Sequence, residues 1–127
     1  MYNPKIAVAT ALSTDSALIA LIPKTRMFSS VAGFTGSPGA APYLTYFELA
    51  NIPALSADDD EAESEISVRV DIWGTSTLST IASHVDRIMK TIDYCRNYSM
   101  DNDEVLETGE KIYHKSMSFS GTFTFAA

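Results

Sequence analysis

The 127-residue sequence predicts a single α+β domain, a mainly antiparallel β-sheet packed by two helices and carrying a long acidic hairpin loop. Three observations lead there. Residues 76–94 place Leu78, Ile81, Ala82, Val85, Ile88, Met89 and Ile92 at three-and-four spacing, the signature of a helix with one apolar face. Residues 65–73 alternate Ile66, Val68, Val70 and Ile72 with Ser67, Arg69, Asp71 and Trp73, as a strand buried on one side does. Residues 111–125 alternate again, with Met117, Phe119, Phe123 and Phe125 on one parity and Ser116, Ser118, Ser120, Thr122 and Thr124 on the other.

Taken in order, Asn3-Pro4 is a helix start, Asn as cap and Pro at the first helical position, leading into the alanine-rich stretch Lys5 to Leu12. Ser13-Thr14-Asp15 offers a fresh cap, and Pro23 stops the second segment, so the region is one interrupted helix or two short ones. Ile6, Leu12, Leu18, Leu21 and Ile22 form its expected apolar face. Residues 27–41 contain Gly33, Gly36, Pro38 and Gly39 and read as a connector, with a short strand over 26–31. The Gly33-x-x-Gly36-x-x-Gly39 spacing lacks the Lys-Ser/Thr ending and the helix of a phosphate-binding loop.

Pro42 opens a strand over 43–50, dense in aromatic residues. Between it and the strand at 65–73 lies Asn51 to Ser64, far longer than the usual hairpin connection of about two to five residues. Its second half and the residue after it hold Asp58, Asp59, Asp60, Glu61, Glu63 and Glu65, six carboxylates in eight positions with no base among them. Such a run repels itself and buries nothing, so residues 53–65 are expected to form a flexible loop. After the helix at 76–94, residues 96–100 and 104–106 are weaker strand candidates around the Asp-Asn-Asp turn at 101–103. Gly121 marks an expected bulge or bend in the last strand.

Composition narrows the function. The net charge is −7, and the acidic run accounts for all but one unit of it. A looser cluster at Asp101, Asp103, Glu104, Glu107 and Glu110 means that 11 of 16 carboxylates lie in two short segments. Without clustered Lys and Arg to displace counterions from phosphate, tight nucleic-acid binding is disfavoured, although DNA could pass such a surface. No apolar run approaches the roughly 18 residues that span a bilayer. The start has no secretory-signal pattern, so folding in the cytoplasm is the expectation. Cys95 stands alone, which excludes an internal disulfide and reads as a small apolar filler.

The residues that could carry chemistry are few. His84 and His114 are the only histidines, and an enzyme or metal reading needs them to converge with a carboxylate such as Asp71. The acidic run lacks the Asp-x-Asp-x-Asp-Gly spacing and terminal Glu of a calcium loop. The reading from the residues is therefore no catalytic set, no cofactor and no metal. Arg69, Asp71 and Trp73 share the nominally polar parity of their strand, and an indole there suggests cover by another element or a second subunit.

Five segments together carry a resemblance. They are Asp15-x-x-Leu18, Pro42-Tyr43-Leu44-Thr45-Tyr46, Val68-Arg69-Val70-Asp71-Ile72-Trp73-Gly74, Leu78-x-x-Ile81-Ala82-x-x-Val85, and Tyr113-His114-Lys115 before an aromatic strand. Their order resembles the tail-to-head joining proteins, also called tail terminator or tail completion proteins, of long-tailed bacteriophages. The resemblance implies a sheet packed by two helices and no enzyme activity. It implies assembly as a ring, commonly hexameric, at the tail end of a virion made in the bacterial host cytoplasm. Its implied partners are other copies of the chain, the tail tube protein and the head connector protein, with a channel through which DNA passes without specific binding and with no membrane involved. In such a ring Arg69, Asp71 and Trp73 are candidate subunit contacts, and the acidic residues either line the channel or dock on a basic partner. Two other classes stay open at this level: a bacterial accessory module that captures a basic partner with its acidic loop, and a small metal-dependent enzyme built on His114, Asp71 and His84.

Overall fold

The computed structural model describes residues 4–29, 42–57, 60–74, 76–105, 109 and 111–124, with the backbone alone for 4, 5, 51–57, 60–62, 104 and 124. Helix α1 (Pro4–Thr14) and helix α2 (Ser16–Leu21) are separate, and Asp15 divides them. The Asp15 carboxylate accepts the Leu18 N–H at 3.0 Å, the N-cap that lets a new helix begin two residues after the last one ends. The buried side chains are Val8, Leu12, Leu18 and Ile22. Ile6, expected in that face, is 64% exposed, because Val8 and Leu12 are four apart and define a stripe that Ile6 misses. Leu21 is also exposed.

A 3-10 turn at Lys24–Arg26 leads into strand β1 (Met27–Phe28), which pairs parallel with strand β2 (Tyr43–Ala57). Gly33, Gly36 and Gly39 lie outside the described residues. β2 pairs antiparallel with strand β3 (Asp60–Gly74) from Tyr43↔Trp73 to Ala57↔Asp60. The long acidic hairpin loop expected at residues 53–65 is therefore corrected: both arms are strand, and only residues 58 and 59 fall between them. The cause is position in the sheet. β3 is held by β2 on one side and by strand β6 (Lys111–Thr124) on the other as far as Glu63↔Thr124. From Glu63 onward two neighbours satisfy its backbone, before it β2 alone does, and the pleat lets alternate charged side chains reach water, so pairing overrides poor strand propensity.

Helix α3 (Ser79–Thr91) buries Ile81, Ala82, Val85, Ile88 and Met89, as the spacing predicts. It ends with Asp93 at φ 70°, where the Tyr94 N–H bonds to the Met89 carbonyl and the Asp93 N–H to that of Lys90. This is a Schellman end with Asp in the left-handed position usually taken by glycine. Strand β4 (Cys95–Asp101) and strand β5 (Glu104–Val105) follow, and both pair with the same edge of β6. The Asp103 carboxylate fills the gap between them by accepting the His114 N–H at 3.2 Å. The sheet order is β1-β2-β3-β6-β4, with β5 continuing the β4 edge.

All three helices cover one face, where Leu44, Ile66, Val68, Val70, Ile72, Met117 and Phe119 meet them. Each such side chain contributes roughly 1.5–3 kcal/mol on full burial, so this layer is the main stabilising term. Gly121 sits in unbroken register opposite Ile66, which corrects the expected bulge. Its role is close approach, since a Cβ there would lie 2.6 Å from the Asp93 carbonyl oxygen. Among the described residues, no helix is long and apolar enough to cross a membrane.

Candidate functional site

The other face of the sheet carries the polar parity, and its side chains line up across strands. One row is aromatic. Phe28 meets Tyr43 edge-on at 6.5 Å, Tyr43 stacks on Trp73 at 4.9 Å, and Trp73 stacks on His114 at 4.3 Å. The register Tyr43↔Trp73↔His114 produces this row, because directly opposite residues in antiparallel strands share a face. The next row holds Thr45, Asp71 and Ser116, and the one after it Phe47, Arg69 and Ser118. The Arg69 guanidinium lies 5.8 Å from the Phe47 ring centre.

Asp71 is the hub. It is 2% exposed, although it stands on the nominally polar parity of its strand. Its Oδ1 accepts from Arg69 Nε at 3.0 Å, lies 3.4 Å from His114 Nε2, and accepts from the Ser116 hydroxyl. Arg69 Nη2 also donates to Ser116 Oγ at 2.9 Å. Burial pushes the Asp71 carboxyl up. The bonds from His114, Ser116 and Arg69, together with the Arg69 charge, outweigh that, so its pKa lies below the ordinary carboxylate value. Thr45 Oγ1, in the same row, is buried with no described partner.

The grouping of Asp71, His114 and Ser116 is not arranged as a nucleophilic triad. The Ser116 hydroxyl bonds to the carboxylate, and one ring nitrogen, Nε2, faces both Asp71 and Ser116. In a triad the two ring nitrogens divide those tasks, so that the base takes the nucleophile's proton. His84 does not converge with them: it sits on α3, across the sheet, 3.1 Å from Arg87 Nη2. Among the described residues, no three His, Cys, Asp or Glu side chains gather as metal ligands do.

The acidic run divides. Asp58 and Asp59 lie outside the described residues, and Asp60 and Glu61 stand in β3 opposite Ala57 and Ser56. Glu63 and Glu65 stand between β2 and β6, Glu65 exposed, and neither is in a described ion pair. Of the nine Lys and Arg residues, five pair with other carboxylates among the described residues, namely Arg69–Asp71, Arg87–Asp15, Lys90–Asp86, Lys111–Asp103 and Lys115–Asp101. The Asp101 and Asp103 pairs border a cleft of about 200 Å³ beside the start of α3. Lysines thus pair with Asp101 and Asp103 of the second acidic cluster, whereas Glu63 and Glu65 of the run are in no described ion pair. Cys95 is exposed at the start of β4, which corrects its reading as a core filler: an edge strand has no second neighbour to cover it.

Arg69, Asp71 and Trp73 do come together, as their shared parity predicts. The partners that parity alone does not identify are His114 and Ser116, more than 40 residues away in the chain. The signal for them is the second period-two polar stripe on β6, which needs only a register to meet the first. Neither a family model nor a curated protein sequence matches the chain. Among solved structures, the fold is shared with a chain of the "Virion of native gene transfer agent (GTA) particle", at 13% identity and a TM-score of 0.61, over 96% of this chain and 95% of that one.

Proposed function

We propose that this chain is a structural virion protein of the tail-to-head joining kind. Copies assemble as a ring at the tail end, six being the number the resemblance implies, dock the tail on the head connector, and leave a channel for DNA. The observation that carries this reading is the fold shared, nearly end to end, with a chain of a gene transfer agent virion. It agrees with the setting that the order of sequence motifs implies.

Within this proposal the acidic end of the β2–β3 ribbon, with Asp58, Asp59, Asp60, Glu61, Glu63 and Glu65, meets a basic surface of the connector or tube protein. The concentration of six carboxylates with no base among them at the end of one ribbon supports a basic outside partner. Arg69 and Trp73 contribute subunit contacts from the polar face, and Asp71 holds them in place. The test is electron microscopy and light scattering of the full chain with and without purified tail tubes. Rings capping tube ends are expected, and bare tubes beside monomers would refute the reading. Neutralising Asp58, Asp59, Asp60 and Glu61 should weaken joining in a salt-sensitive way, and joining that stays unchanged would remove the ribbon from the contact.

A further inference from the structure

We propose that a second copy of this chain extends the sheet edge to edge: β4 of one copy pairs antiparallel with Tyr46–Ala50 of β2 in the next. The inference rests on the ring reading above and names the contact that builds the ring.

Both edges are open among the described residues. Every residue of β4 is exposed, and β4 pairs with β6 alone. On its outer side β2 pairs with β1 only at Leu44 and Thr45, so its backbone groups from Tyr46 onward meet no described strand there. An edge of this kind is a template for another strand. The exposed large apolar residues concentrate on the same two edges, Leu49 on β2 and Tyr98, Met100 and Val105 along β4 and β5.

Direction and register agree. Three successive antiparallel pairings separate β2 from β4, so the two edges run oppositely, and a copy added in the same orientation continues the antiparallel order. Each edge has one extra residue, Leu49 between Glu48 and Ala50, and Asn97 between Arg96 and Tyr98. Setting these bulges side by side places Arg96 opposite Glu48, Tyr98 opposite Phe47 and Cys95 beside Ala50.

The faces then match. Arg96 and Glu48 stand opposite Phe119 and Val68 on the helix side, and Tyr98 and Phe47 opposite Ser118 and Arg69 on the other. Neither Arg96 nor Glu48 is in a described ion pair. Beyond Ala50, Pro53 and further register shifts blunt the β2 edge, which limits the contact to this stretch. A contact between two different edges is heterologous, the type that closes into a ring when its rotation closes.

The native Cys95 supplies the test. Ala50→Cys in the full chain, oxidised with copper–phenanthroline, should give a ladder of covalent multimers that collapses on reduction and is absent from A50C/C95S. R96E and E48R should each lower self-association about tenfold, ~1.4 kcal/mol, and the double variant R96E/E48R should restore it, which also shows that the changes leave the subunit folded. Assembled A50C rings that form no disulfide to Cys95, together with no response to either charge reversal, would overturn the edge contact and leave the ring reading standing. A wild-type chain that stays monomeric at every concentration and at tube ends would overturn both.

Discussion

Replacing Asp71 with Ala removes the acceptor that three donors share. Two of the lost bonds are to Arg69 and the Ser116 hydroxyl, and a third is to His114. Bonds to charged groups contribute roughly 1.5–3 kcal/mol each and do not add when they share one atom. Two features reduce the loss: the Arg69 side chain is 34% exposed and partly rehydrates, and Ser116 still accepts from Arg69 Nη2. The expected cost is about 3 kcal/mol, and about half that for the isosteric Asp71→Asn. For a domain of this size the Ala change corresponds to a fall of roughly 12 °C in Tm.

The pH dependence has a definite sign. The folded pKa of Asp71 lies below the unfolded one, so its contribution is complete above the unfolded value of about 3.9 and is lost as pH falls through the folded value. The gap between wild type and Asp71→Asn should hold constant from neutral pH to about pH 5 and close below about pH 4. Thermal melts by circular dichroism measure it, and the emission of Trp73, stacked on His114, reports the same region locally. A D71A variant within about 0.5 kcal/mol of wild type at neutral pH, or a gap that persists in acid, would refute the hub role.

Two further substitutions probe the turn between α3 and β4. Gly121→Ala drives a Cβ to 2.6 Å from the Asp93 carbonyl oxygen and 2.9 Å from the Phe123 ring, and backbone cannot step aside cheaply. It should cost about 1–3 kcal/mol, read as a lower urea midpoint with an unchanged slope, and a neutral result would mean that β6 and the turn are not packed this closely. Asp93→Gly should add about 0.5–1 kcal/mol, because the left-handed φ costs an L-residue more than glycine and the Asp93 side chain is exposed. Equilibrium unfolding checks it, and a destabilised variant would mean that the Asp93 side chain has a partner.

The elements with strong periodicity were legible in the sequence. The α3 stripe, the β3 alternation and the β6 parity of Met117, Phe119 and Phe123 each stand where the spacing puts them, Phe125 lying outside the described residues, because burial on one face enforces a period that sequence displays. The arms of the acidic ribbon were not legible. Glu and Asp disfavour strand locally, and pairing overrides this: β2 holds Asp60 and Glu61, and β2 with the distant β6 holds Glu63 to Glu65. Ile6 and Val8 show the same limit on a smaller scale, since an alanine-rich helix offers two plausible apolar stripes and the sheet selects one. On the candidate site, parity grouped Arg69, Asp71 and Trp73. It said nothing of depth, and Asp71 at the centre of the polar face is buried.

The Asp71 cluster also solves a problem of alignment between β3 and β6. On the helix side β3 carries Ile66, Val68, Val70 and Ile72, and β6 carries Met117 and Phe119 between Lys115 and Gly121, while the hydroxyls Ser116, Ser118, Ser120 and Thr122 recur on the other parity. A slide of two residues would keep Met117 and Phe119 facing apolar residues of β3 and hydroxyls facing the polar parity. Aperiodic marks distinguish such frames, and Gly121 beneath the Asp93 carbonyl is one. Asp71 with Arg69, His114 and Ser116 is such a mark, an index notch that a chain closing a long-range strand pair meets in one frame and misses in every other.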